Sequence, residues 1–161
     1  MTGTHAIRWF LPAAPSAVAT VRHRTIAQLR FWGFYMDPDT EADLQLVVSE
    51  LVTNAVRYGT GVLITIGLYA KQGQVFVEVL DGSRTPPVTP AVKENDEAGR
   101  GLTLVATLAT DWGTHPTPGG KSVWASLALP PQPRGYRRRE LLSRLIRDSR
   151  PRPYVHSAAA S

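Results

Sequence analysis

The chain has no cysteine among its 161 residues. A disulfide scaffold, a thiolate metal site and a cysteine nucleophile are therefore excluded, and a reducing compartment is compatible with that lack. No apolar run follows a basic N-terminal start, and no stretch approaches the length of a membrane span. The expectation is a soluble cytoplasmic protein with no membrane span. His5, His115 and His156 show no metal-ligand spacing. A G-x-S-x-G elbow is missing, which speaks against a hydrolase of that type. A Walker loop is missing too. Gly120-Lys121-Ser122 has the closing tripeptide, but Pro116 and Thr117 stand where the upstream glycine is required, and a strand rather than a helix follows. Most of the chain also lacks an excess of positive charge. Of the net +5, residues 132–161 contribute +6, from eight arginines against Glu140 and Asp148, so residues 1–131 sum to −1. A body so close to neutral is not expected to bind nucleic acid directly.

What is present reads as one domain with a sizeable core, residues 1–131, followed by a basic, Arg-rich tail, residues 132–161. Residues 6–11 alternate as a short strand. Pro15 suits the start of a helix running to about Trp32, with Gly33 at its end. Asp37-Pro38-Asp39-Thr40 supplies a cap and a proline for a second helix, which ends near Tyr58-Gly59. In it Leu44, Val47, Val48, Leu51, Val52, Ala55 and Val56 form an apolar stripe. Val62 to Tyr69 and Val75 to Leu80 are strands about the turn Lys71-Gln72-Gly73-Gln74. Residues 82–98 hold three prolines and no period, and read as a loop. A short helix from Gly101 to Leu108, a strand near Asp111 to Thr114, a turn at 116–120 and a last strand from Ser122 to Leu129 complete the body. Pro130-Pro131 closes it. Tight hairpins favour an antiparallel or mixed, mostly antiparallel sheet, and the three helices are expected on one face of it, an α+β two-layer sandwich. The lack of strict strand–helix alternation argues against a doubly wound fold. Phe31, Trp32, Phe34 and Tyr35 read as partly core, with a homodimer or partner surface as the lesser alternative.

Three groups of residues suggest chemistry. Glu50 and Asn54 are four residues apart and share one helix face. A carboxylate and an amide one turn apart place a general base beside a metal-binding oxygen. Asp81 ends a strand, where it serves either as a turn-capping residue or as an acceptor for an exocyclic amine such as that of adenine. Gly99-Arg100-Gly101-Leu102 opens a helix, where glycines let backbone N–H groups approach phosphate oxygens or simply make a loop-to-helix turn.

Taken in order, these stretches resemble the GHKL superfamily of ATP-binding domains, and within it the anti-sigma-factor serine/threonine kinase branch in the form common in high-GC bacteria. The resemblance rests on the segment from Val47 to Gly59, on Val77-Glu78-Val79-Leu80-Asp81-Gly82-Ser83, and on Gly99-Arg100-Gly101-Leu102-Thr103-Leu104-Val105. Trp112-Gly113 with Gly120-Lys121-Ser122-Val123-Trp124 adds a fourth block, and the four span roughly residues 6–130. The resemblance implies the GHKL two-layer fold and a regulatory protein that binds ATP with Mg2+. In it Asn54 would hold the magnesium and Glu50 would be the general base. Asp81 would accept the adenine amine. Ser83, Gly99, Arg100, Gly101, Leu102 and Ser122 would also contact the nucleotide, with residues 84–98 as a lid. The implied activity is a protein serine/threonine kinase that phosphorylates or sequesters a sigma factor or an anti-anti-sigma-type protein.

The chain departs from the pattern at several positions. Ser83 and Thr85 replace glycines that many members carry after the adenine aspartate. Glu97 stands where some anti-sigma kinases have an arginine facing the γ-phosphate. Lys121 stands where relatives often have a threonine near the adenine aspartate. Glu97 and Ser83 favour a second reading, an ATP-binding regulatory module without phosphotransfer. A sensor histidine kinase fragment is disfavoured, because Val21-Arg22-His23-Arg24 lacks the acidic neighbour of a phosphoacceptor histidine. In the tail, residues 137–147 have the pattern of a short amphipathic helix, with Leu141, Leu142, Leu145 and Ile146 on one face. The remainder reads as disorder. The tail reads as a solvated extension, or as a contact for an acidic partner, a membrane surface or nucleic acid.

Overall fold

The computed structural model describes residues 4–71, 73–83 and 97–136. Its elements are β1 (His5–Pro12), α1 (Ser16–Phe31), α2 (Pro38–Tyr58), β2 (Leu63–Lys71), β3 (Gln74–Asp81), α3 (Glu97–Leu108), β4 (Asp111–Thr117) and β5 (Gly120–Ala128). The five strands form one sheet in the order β1-β2-β3-β5-β4, and each neighbouring pair is antiparallel. The sheet is thus wholly antiparallel, the simpler of the two expected forms, and the fold is the expected α+β two-layer sandwich.

Helix ends follow local chemistry. In α1 the N–H of Gly33 bonds the carbonyl of Arg30 and that of Phe34 bonds the carbonyl of Leu29, the paired closure of a Schellman motif. At the start of α2, Asp37 accepts the Thr40 N–H at 2.8 Å, and Pro38 occupies the first turn, where its missing N–H costs nothing. The apolar stripe of α2 is buried from Leu44 through Ala55, with Val56 packed at its margin. This helix lies between α1 and α3 and over β3 and β5. From the sheet, Val75, Val77 and Val79 of β3 and Val123, Ala125 and Leu127 of β5 meet it from below. Leu51 is fully buried next to Glu50. Cutting it to alanine would cost about 2–5 kcal/mol, so the site is braced by the core.

Two boundaries differ from expectation. Helix α3 begins at Glu97, four residues before Gly101, so both glycines of Gly99-Arg100-Gly101 lie inside its first turns. The first turns of a helix make few intrahelical N–H bonds, and glycine is tolerated there better than in the middle. At the other end the chain stays on the body past Pro131. The Gln132 side chain accepts the Tyr35 N–H at 2.7 Å and donates to the Tyr35 carbonyl at 3.1 Å, and the Tyr35 and Tyr136 rings meet edge-on at 5.4 Å. Of the expected lid, residues 84–98, the last two are helical and open α3, while residues 84–96 and the expected helix at 137–147 lie outside the described residues. No described helix is long and apolar enough to cross a membrane.

Candidate functional site

Helix α2 carries the site. Glu50, Thr53, Asn54, Arg57 and Tyr58 recur along one face of it, and together with Gly101 and Leu102 of α3 they line a small cleft. Contact between the two helices here depends on Gly101. A Cβ at that position would collide with Glu50 Oε2, while the other Glu50 atoms nearest it stay at 3.5 Å or beyond. The carboxylate thus lies against bare helix backbone, close to the N-terminal turns whose N–H groups are the least engaged in the helix. Asn54, one turn further on, has its amide nitrogen buried with no hydrogen-bond partner among the described residues. Rotating the amide exchanges its two ends, so one buried polar position remains for a ligand atom.

The same helix ends against Asp81. A Cβ on Gly59 would lie 3.0 Å from the Asp81 Cβ, so a side chain there would push the helix end and the strand end apart. The loop after α2 is tied down by the Thr60 hydroxyl, which donates to the Gly82 carbonyl at 2.8 Å. Asp81 is 6% exposed, and its two oxygens have different surroundings. Oδ1 accepts the Ser83 N–H at 2.7 Å, a local turn bond. Oδ2 is buried with no hydrogen-bond partner among the described residues, and Lys121 Nζ lies 3.8 Å away. Burial pushes the Asp81 carboxyl above its ordinary value of 3.8, against the Ser83 N–H and the Lys121 charge, which pull it down. The turn-capping role and a spare acceptor thus coexist on one carboxylate.

Of the residues expected at the site, Glu50, Asn54, Gly101 and Leu102 share the cleft, with Leu102 also in the core. Asp81 and Ser83 sit together at the end of β3. Gly99 and Arg100 lie in the opening turns of α3, with Arg100 exposed. Ser122 does not join them. In the β3–β5 ladder Asp81 is opposite Lys121, so Ser122 falls on the other face of the sheet, where its hydroxyl donates to Glu78 Oε1 at 2.7 Å. Its expected nucleotide contact is corrected accordingly. That far face carries a polar cluster around Glu78, which lies 3.9 Å from Arg8, 3.7 Å from His115 and 3.4 Å from the Tyr69 hydroxyl. Thr53, Arg57 and Tyr58 were not singled out from the sequence. Their signal was available, since they stand three, seven and eight residues after Glu50 on the same helix face.

A carboxylate, an amide and the first turns of a helix thus surround one cleft of a two-layer sandwich, with a second buried carboxylate at a strand end. Residues 11–127 match the family described as the histidine kinase-like ATPase domain, which covers most of the chain. The chain belongs to that family. No curated protein shows a significant match to it.

The site residues fit the Mg-ATP that domains of this family bind. Asn54 offers one buried, unused polar position and Asp81 another. Among the described residues no group of three or more His, Cys, Asp or Glu could hold a metal ion. A single amide therefore suits Mg2+ that arrives with a triphosphate and keeps its waters, rather than one held in a cage of side chains.

Proposed function

We propose that the protein is a Mg-ATP-dependent serine/threonine kinase of the anti-sigma-factor type, which phosphorylates or sequesters a regulatory partner. The observation that supports it most is the Glu50 carboxylate held against Gly101, with Asn54 one turn away in the same cleft. Asp81 Oδ2 accepts the exocyclic amine of adenine and fixes the base. The opening N–H groups of α3 face the phosphates. The amide of Asn54 would hold Mg2+, which would offset charge on the phosphate oxygens. Glu50 takes the proton from a serine or threonine hydroxyl of the partner. That oxygen bonds to the γ-phosphorus as the bond to the β–γ bridging oxygen breaks, and ADP leaves. Positioning and charge account for most of the catalysis in such a transfer.

The partner is a sigma factor or its phosphorylatable antagonist, in keeping with the resemblance of the four motif blocks, and the reaction is cytoplasmic. The test is to capture binding proteins on the full chain, add γ-labelled ATP with Mg2+, and look for label on a captured protein. Label on a serine or threonine supports kinase activity. ATP binding with a captured partner and no label would sink it and leave the regulatory module without transfer, the reading that Glu97 favours.

A further inference from the structure

Lys121 is 4% exposed, an unusual place for an ammonium group. It faces Asp81 directly across the β3–β5 ladder, so the two side chains rise from the same face of the sheet. Their closest atoms, Nζ and Oδ2, are 3.8 Å apart. That distance is too long for a hydrogen bond, and Oδ2 has no other partner among the described residues. A buried ammonium and carboxylate ordinarily close into direct contact, because attraction at a distance does not offset the loss of hydration of both groups. Here the carboxylate is turned and held by the Ser83 N–H on Oδ1. The outcome is an acceptor and a cationic donor side by side, neither one satisfying the other.

We propose that Lys121 reads the nucleotide base together with Asp81: it donates a hydrogen bond to the ring nitrogen that flanks the exocyclic amine accepted by Asp81. This rests on the adenine role of Asp81 given above. Adenine presents an amine donor with a bare ring nitrogen, an acceptor, on each side of it, at N1 and at N7. A buried acceptor beside a buried donor is the matching pattern. A hydroxyl at this position would offer a neutral donor. An ammonium offers a charge-assisted one, and a base that lacks the ring nitrogen leaves that ammonium buried without a hydrogen-bond acceptor from the base.

Calorimetry on the full chain tests this with ATP, 1-deaza-ATP and 7-deaza-ATP, using the natural protein and Lys121→Met, which keeps length and apolar bulk but removes the donor. The natural protein is expected to lose about 10-fold to 100-fold in affinity for one of the two deaza analogues. The Lys121→Met protein is expected to bind ATP more weakly by a similar factor and to lose its discrimination against that analogue. Equal binding of all three nucleotides by the natural protein overturns the proposal, whether or not the variant folds. So does a folded Lys121→Met protein that discriminates as before, since Lys121 would then be a structural ion-pair partner only. Failure of the natural protein to bind any of the three rejects the ATP reading as well, a different result from equal binding.

Discussion

Gly101→Ala separates the stability of the fold from its chemistry. The added methyl meets one atom, Glu50 Oε2, with Glu50 Cδ at 3.5 Å and Cβ at 3.9 Å. That atom is the far end of a flexible side chain, so the carboxylate rotates away and the backbones stay where they are. Moving it off a preferred rotamer costs about 0.5–1.5 kcal/mol. Replacing glycine by alanine returns up to about 0.8–1.0 kcal/mol in a helix interior, and somewhat less this near the helix start. The two nearly cancel, so the variant should melt within about 4 °C of the natural protein. The rate should respond quite differently. Displacing a general base from its position removes most of its contribution, about 10²–10⁴-fold. Thermal melting, ATP calorimetry and label transfer to the captured partner, run on one preparation, give the three numbers. A folded Gly101→Ala protein with normal ATP binding and an undiminished transfer rate would refute the placement of the base at Glu50. A protein that fails to fold would refute the view that only a side-chain end has to yield.

Three other outcomes follow from the same geometry. Glu50→Ala should bind ATP as before and lose transfer by about 10²–10⁴-fold, and near-normal transfer would move the base elsewhere. Asn54→Ala should weaken Mg-ATP more than metal-free ATP, as the proposed role of its oxygen as a magnesium ligand requires; equal losses in titrations with Mg2+ and with chelator would remove it from the metal. The third concerns pH. Because burial raises the Asp81 carboxyl above 3.8, the folded chain holds that proton more tightly than the unfolded one. Stability relative to Asp81→Asn is therefore greatest below this ordinary value and is lost as pH rises through the raised one. Denaturant melts of both proteins across that range check it, and a constant difference would count against a raised carboxyl.

Much of this architecture is legible in the residues because it is local. The α2 stripe, the Asp37 cap and the hairpin signals at residues 71–74 and 116–120 each act within a few positions. Sheet order is not local. Nothing near β5 says that it, and not β4, lies beside β3, since both strands belong to one hairpin and either edge offers the same backbone groups. Ser122 fails for that reason. Its neighbourhood was readable, but its face depends on register, and pairing Asp81 with Lys121 sends the next residue to the opposite side. The same pairing turns Lys121 from a departure in a motif into a buried cation beside the carboxylate. Arg57 and Tyr58 follow helix spacing from Glu50, but only the packing of α3 makes that face a cleft.

The central claim is that a nucleotide is held through Asp81, and the titration of ATP with Mg2+ into the natural chain and into Asp81→Asn measures it most directly. The natural protein should bind. The variant, which trades a charged acceptor for a neutral amide, should lose about 1.5–3 kcal/mol, or roughly 10-fold to 150-fold in affinity. Circular dichroism confirms that the variant is folded. Equal affinity in the two proteins, or no binding by the natural one, would contradict the account.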